Sequence, residues 1–152
     1  MPRLFTGVEV PPDVGERLSL LRGGLAGARW IDRDNYHITL RFIGDVDMVA
    51  AEAMAEALAR VRRRPFQLRV SGVRPLGTRK PHAVVAAVEG SQPLLELQAE
   101  HERIAQRVGL PPEGRKYTPH ITLARLRNGS DRDLADYLSL RGGFTAGPFQ
   151  VD

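Results

Sequence analysis

The chain has 152 residues, which suits one domain or two small lobes sharing a core. Apolar residues make up 42% and charged residues 26%, and no apolar run approaches the roughly 20 residues that cross a bilayer. There is no cysteine, so disulfides, thiolate nucleophiles and thiolate metal sites are excluded and any chemistry falls to other side chains.

The formal net charge is +4, and apart from Lys80 and Lys116 the cations are arginines. Arginine forks match phosphate geometry, so the balance is compatible with a nucleic-acid partner. Codon bias in an Ala- and Gly-rich chain explains the same excess equally well. The N-terminal MPRLFTGVEV lacks the basic start, apolar stretch and cleavage site of a signal peptide. It reads as a first strand, and a cytoplasmic location is the default expectation.

Arg3 to Val10 is a strand closed by Pro11-Pro12. Val14, Leu18, Leu21 and Leu25 have helical spacing, which predicts a helix from Asp13 to Leu25, ended by the Gly-rich stretch 23–27. That stretch is no phosphate loop, because no Gly-Lys-Ser/Thr follows it. Arg29 to Ile31 is a short strand and Tyr36 to Ile43 a longer one, stopped by Gly44-Asp45. Asp47 is placed to cap a helix over Met48 to Arg62. Phe66 to Val73 alternates as a strand, Arg74 to Pro81 is a polar connection, and His82 to Val88 is a Val-rich strand. Pro93 to Val108 is a helix with Leu94, Leu97, Ile104 and Val108 inside, and Gly109 to Thr118 is a loop. His120 to Leu126 is a strand, Asp131 to Leu140 a helix, and Phe149 begins a final strand.

One tetrapeptide occurs twice, as His37-Ile38-Thr39-Leu40 and as His120-Ile121-Thr122-Leu123, 83 residues apart. Each copy lies in a strand in its own half of the chain. The order of elements is an α+β duplication, which predicts residues 1–152 as one domain of two pseudo-symmetric lobes. Strand alternation points His37 and Thr39 one way and Ile38 and Leu40 the other, into the core. Histidine and threonine on one strand sit about 6.5–7 Å apart, a span that straddles a phosphate. Two such strands facing each other supply the set that hydrolysis of a cyclic phosphodiester needs. One imidazole takes a proton from water and the other gives one to the departing ribose oxygen, from opposite sides of phosphorus. Histidine suits both tasks because its ordinary pKa lies near neutrality. Threonine hydroxyls donate to the non-bridging oxygens. This scheme calls for no metal and no cofactor.

The residues around both copies resemble the RNA 2′,3′-cyclic phosphodiesterases of the two-histidine (2H) phosphoesterase superfamily, formerly called 2′-5′ RNA ligases. The first stretch is Trp30-Ile-Asp-Arg-Asp-Asn-Tyr-His37-Ile-Thr-Leu-Arg-Phe-Ile-Gly44. The second is Tyr117-Thr-Pro-His120-Ile-Thr-Leu-Ala-Arg125, and Arg3 to Pro11 is similar to the family's first strand. The resemblance implies two antiparallel sheets around a central cleft, with helices outside. It implies an enzyme that opens RNA 2′,3′-cyclic phosphate ends to 2′-phosphates, with His37 as proton donor and His120 as acceptor. Thr39 and Thr122 would bind phosphate oxygens and Arg125 would add positive charge beside them. Two features depart from the family's pattern. Thr118 stands where a bulkier or more basic residue is expected. The chain also ends at Asp152, so the last strand region is expected to be incomplete.

Other residues carry weaker expectations. Tyr117, in a loop beside the second motif, is the candidate for stacking on a base, and Trp30 for core packing. Arg41 shares the His37 face by alternation, placing it on substrate or at the cleft rim. Arg60, Arg62, Arg63 and Arg64 complement a helix C-terminus. Arg79 and Lys80 sit in a solvated loop. His101 is expected to be exposed, and Glu96, Glu100 and Glu102 to form a solvated helix face. The partner expected is RNA with a cyclic phosphate end, bound by a monomer. A binding module without turnover, an esterase for a small cyclic nucleotide, and a ligase running the same chemistry backwards are the competing readings.

Overall fold

In the computed structural model, residues 3–77, 80–127 and 131–151 are described. The chain runs β1 (Arg3–Glu9), α1 (Pro12–Ser19), β2 (Ala28–Trp30), a 3₁₀ turn (Arg33–Asn35), β3 (His37–Asp45), α2 (Met48–Ala59), β4 (Phe66–Leu76) and β5 (Ala83–Val88). It continues with α3 (Gln92–Arg107), β6 (His120–Leu126), α4 (Asp131–Arg141) and β7 (Thr145–Val151). The α+β class and the expected order both hold. Asp47 caps α2 as expected, its carboxylate accepting from Ala50 N at 2.8 Å, and Ser91 caps α3 by accepting from Leu94 N.

Several boundaries differ from expectation. Helix α2 ends at Ala59, short of Arg62, and β4 runs on to Leu76, where a polar connection was expected, because Arg74, Pro75 and Leu76 pair with Val85, Val84 and Ala83 of β5. Helix α1 stops at Ser19, and the chain turns through Gly23 and Gly24, both at positive φ. Leu21 and Leu25 remain buried all the same, so their spacing reports the core contact and not the helix length. Strand β7 starts at Thr145, not Phe149, because Gly147-Pro148 interrupts the strand pattern in the sequence while the ladder to β4 slips past it.

All strand pairs are antiparallel, in the order β1-β3-β6-β5-β4-β7, with β2 also on β6. The seam lies between β3 and β6, which pair through one couple of residues, Ile38 and Ile121. Two strand groups, β1–β3 and β2–β6–β5–β4–β7, are thus joined into one sheet at a single point. The joint falls on the same position of both tetrapeptides, so a local two-fold passes between the two isoleucines.

Helix α3 packs on β3, α4 on β4, α1 beside β7, and α2 against α3. Leu18, Ile38, Leu94, Ile121, Leu123, Val70 and Val84 are fully buried, each contributing about 1.5–3 kcal/mol of transfer free energy. The isoleucine and leucine of each tetrapeptide point into this core, and the histidine and threonine stay half-buried on the other face.

Each motif strand carries a β-bulge at the same place. On β1, Thr6 and Gly7 are neighbours, yet their partners on β3 are Arg41 and Thr39, so Leu40 is an extra residue. On β6, Val84 and Val85 of β5 face Ala124 and Thr122, and Leu123 is the extra one. The bulge overturns the alternation used above for Arg41. Leu40 and Arg41 both turn to the helix side, so Arg41 is on neither substrate nor cleft rim. It is 7% exposed, donates to Glu102 on α3 at 2.6 Å, and also donates to the Phe42 and Pro111 carbonyls.

Glu102 therefore does not belong to a solvated face. Burial works to raise its pKa, but hydrogen bonds from Arg41, Gln106 and the Glu113 N–H outweigh this and hold it below 4.5. His101 beside it is buried too, against the expectation of exposure, with Nδ1 2.8 Å from Thr6 Oγ1 on β1. Burial pushes its pKa below 6.5, Glu100 opposing and Arg63 assisting. The neutral ring is the form the fold accommodates. On acidification the unfolded chain takes up this proton first, so stability falls as pH drops through 6.5 and levels off below the folded-state value. Thermal melts between about pH 8 and pH 5 should show that fall, and His101→Gln should flatten it. A variant whose melting temperature tracks the parent at every pH would remove His101 as the source.

Candidate active site

His37 opens β3 directly after the 3₁₀ turn, and its Nδ1 donates to the carbonyl of Asn35 at 2.8 Å. His120 opens β6, and its Nδ1 donates to the carbonyl of Thr118 at 2.7 Å. In both cases the partner lies two residues back. A carbonyl oxygen only accepts, so Nδ1 must carry the hydrogen in each ring. The free nitrogen is Nε2 in both, available to accept a proton when neutral or to give one when charged. The atom of Thr118 used here is its main-chain oxygen, which makes its side chain, unusual against the family pattern, irrelevant to holding the histidine.

The two strands pair only at the Ile38–Ile121 couple; continuing that antiparallel register by one residue each way would set His37 towards Thr122 and Thr39 towards His120. In a regular ladder such diagonal partners as the two histidines are about 7–8 Å apart, and the parting of the strands beyond their single contact opens that further. Neither threonine hydroxyl has a hydrogen-bond partner among the described residues, so both are free to donate. The four motif side chains, His37, Thr39, His120 and Thr122, thus lie on the two strands that meet at the Ile38–Ile121 couple, half-buried on the face away from the helices.

The environment of the two rings is not the same. Phe5 on β1 stacks on His37 with ring centroids 4.4 Å apart and an angle of 22°. Gly7, across from Thr39, leaves that space open, since a Cβ there would lie 2.9 Å from the Ile38 carbonyl and 3.6 Å from His37 Cδ2. On the His120 side the equivalent strand positions hold Ala83 and Val85. His37 is stacked on by an aromatic ring, whereas the cross-strand partner of His120 is Ala87.

Arg125 follows His120 by an odd offset and would face the core in a regular strand. The Leu123 bulge, and its pairing with Ala83, bring it onto the His120 face, where it is exposed. Phe42 stands at the matching place in the other half and is 55% exposed beside Phe5. The sequence reading overlooked both Phe5 and Phe42. The shared offset from each histidine to Phe42 and Arg125 was the signal available for the second.

Tyr117 departs from its expected role. It is half-buried against the core, its hydroxyl donates to the main-chain oxygen of Thr39 at 2.9 Å, and burial drives its pKa upward. It is a strut between the loop before the second motif and the strand of the first. Trp30 packs in the core against Tyr137, as expected. Arg62 donates to the carbonyls of Ala59, at the end of α2, and of Val61 just beyond it, and Arg63 pairs with Glu96 and Glu100. Lys80 is exposed, and Arg79 lies outside the described residues.

Known proteins resemble this chain in sequence and fold. The profile of the LigT-like phosphoesterases matches residues 8–86 and again residues 84–152, one motif in each match. The chain belongs to this family. Among its relatives, the RNA 2′,3′-cyclic phosphodiesterase of Aeropyrum pernix is 36% identical over 117 residues, which is 73% of this chain and 66% of that protein. This LigT-like phosphoesterase thus spans just under two thirds of that relative's length. The protein of the same name from Thermotoga maritima is 31% identical, over 86% of this chain and 73% of its own. In three dimensions, LigT of E. coli, crystallised with 3′-AMP, superposes with a TM-score of 0.73 at 24% identity, over 98% of this chain and 83% of its own, a likeness of fold. No helix among the described residues of the phosphoesterase is long and apolar enough to cross a membrane.

Proposed function

We propose that the chain hydrolyses RNA 2′,3′-cyclic phosphate ends to 2′-phosphate ends, without a metal ion. The observation that carries this reading is the matched pair of histidines. Each is held by a carbonyl at Nδ1 and free at Nε2, each shares its strand face with an unengaged threonine hydroxyl, and the two strands meet at the Ile38–Ile121 couple. The names of the Aeropyrum and Thermotoga relatives point the same way.

In this scheme His120 Nε2 takes a proton from water as the water oxygen attacks phosphorus. The bond from phosphorus to O3′ breaks, and His37 Nε2 delivers its proton to O3′. Attack and departure lie in line, on opposite sides of phosphorus, matching the diagonal placement of the rings. Thr39 and Thr122 donate to the non-bridging oxygens, where charge builds, and Arg125 adds positive charge at the same face. Phe5 fixes the plane of the donor ring. A monomer acting on RNA in the cytoplasm completes the reading.

A short RNA ending in a 2′,3′-cyclic phosphate, incubated with the protein in EDTA, is expected to yield the 2′-phosphate. Activity that vanishes in EDTA would sink the metal-free mechanism. Tight binding of the RNA end with no product would replace it by the binding-module reading.

A further inference from the structure

The ion pairs found among the described residues cluster on one side of the molecule. Arg41 with Glu102, Arg63 with Glu96 and Glu100, and Arg115 with Glu113 all involve α3 or the loop after it. The opposite side is different. Arg29 on β2 lies directly across from Arg125 on β6, and Arg74 on β4 lies across from Val85, which in turn faces Thr122. Directly paired residues share a face, so Arg29, Arg74 and Arg125 stand on the same face as His120 and Thr122. All three are exposed. Neither Arg29 nor Arg74 makes an ion pair or side-chain hydrogen bond among the described residues.

Like charges set opposite one another in a ladder cost stability. The paired strand positions on this face offer no carboxylate in relief, since β5 contributes Ala83, Val85 and Ala87 there. The result is a floor of small apolar side chains edged by arginines, continuous with the His120–Thr122 strand. Arg74 lies two strand spacings, about 10 Å, from Thr122. Its guanidinium is placed for a different phosphate from the one that Thr122 would hold. A mononucleotide has no second phosphodiester to offer it, whereas an RNA strand has one at every step.

We infer that this face of β2, β6, β5 and β4 is a track for the RNA strand 5′ of the cyclic end, with Arg29 and Arg74 holding backbone phosphates. The inference rests on the proposed function and deepens it, assigning the surface and the two arginines that would hold the RNA strand beyond its cyclic end.

The test compares adenosine 2′,3′-cyclic phosphate with a six-nucleotide RNA ending in the same group, using the parent protein and the double variant Arg29→Gln/Arg74→Gln. For the RNA, the variant's KM is expected to rise about tenfold, as befits two lost solvent-exposed ionic contacts. The salt dependence of that KM should also flatten by about 0.7 of a log unit per log unit of salt for each arginine removed. The mononucleotide's kcat/KM should change less than about twofold, and Arg29→Lys/Arg74→Lys should restore most of the RNA affinity. An equal loss on both substrates, or none on the RNA, would overturn the track. Fluorescence anisotropy with the same RNA carrying a 2′-phosphate end reads binding without turnover. A protein that turns over neither substrate but loses RNA binding in the double variant keeps the track and forfeits the proposed chemistry. One that turns over both equally well, with variant and parent alike, keeps the chemistry and forfeits the track.

Discussion

Replacing His120 by alanine is expected to lower kcat/KM on cyclic-phosphate RNA by about 10²–10⁴-fold, and replacing His37 to do the same. The two losses should not multiply in the double variant, because removal of either proton carrier already leaves the displacement incomplete. Folding should be untouched. Both rings are half-buried, and each makes one side-chain hydrogen bond, to a carbonyl that remains accessible to water. The informative contrast is the pH profile. The parent should show a bell, since one imidazole must be neutral and the other charged, and each single variant should lose one limb of it. The limb lost in each variant tells which ring gives the proton and which takes it. A His37→Ala protein retaining about a tenth of the parent's rate or more would exclude that ring as the proton donor.

The second large effect is on stability. Arg41→Ala removes a buried guanidinium that engages Glu102 and the carbonyls of Phe42 and Pro111. Breaking one side of a buried ion pair costs about 3–5 kcal/mol, because the other charge stays behind without compensation. Glu102 keeps Gln106 and the Glu113 N–H, which places the expected loss near about 3 kcal/mol. Urea denaturation measures it, and a loss below about 1 kcal/mol would show that the pair is dispensable. Pairing Arg41→Met with Glu102→Leu should recover much of the loss, since apolar isosteres repack such a site without stranding a charge. Alanine is tolerated at the matching place in the other half: Ala124 is fully buried there and has no carboxylate to satisfy.

The two tetrapeptides, with period-two alternation, gave the four central side chains and the faces they occupy, because local backbone geometry decides that much. What followed them was hidden. A bulge leaves no mark in the residue types Leu40-Arg41 or Leu123-Ala124, so Arg41 could not be told from a surface arginine. His101 was hidden differently. Flanked by Glu100 and Glu102 it looks solvated, yet Leu97, His101 and Ile104 follow the i, i+4, i+7 spacing of an inner helix face. Charged neighbours outweighed a periodicity that was present. Tyr117 was misread because its partner, the Thr39 carbonyl, is 78 residues away in the chain. Contacts of that kind are made by topology, which no local pattern encodes.

The topology also decides what the repeat is. Strands β2 and β4 come from the first half of the sequence, yet β2 pairs with β6, and β4 with β5 and β7, all from the second. A first half standing alone would present the long edge of β4 uncovered, and a second half would leave β6 without β2. The strand group that carries the second tetrapeptide is thus assembled from both halves of the chain, whereas β1 and β3, which carry the first, pair with each other and meet that group at one couple of residues.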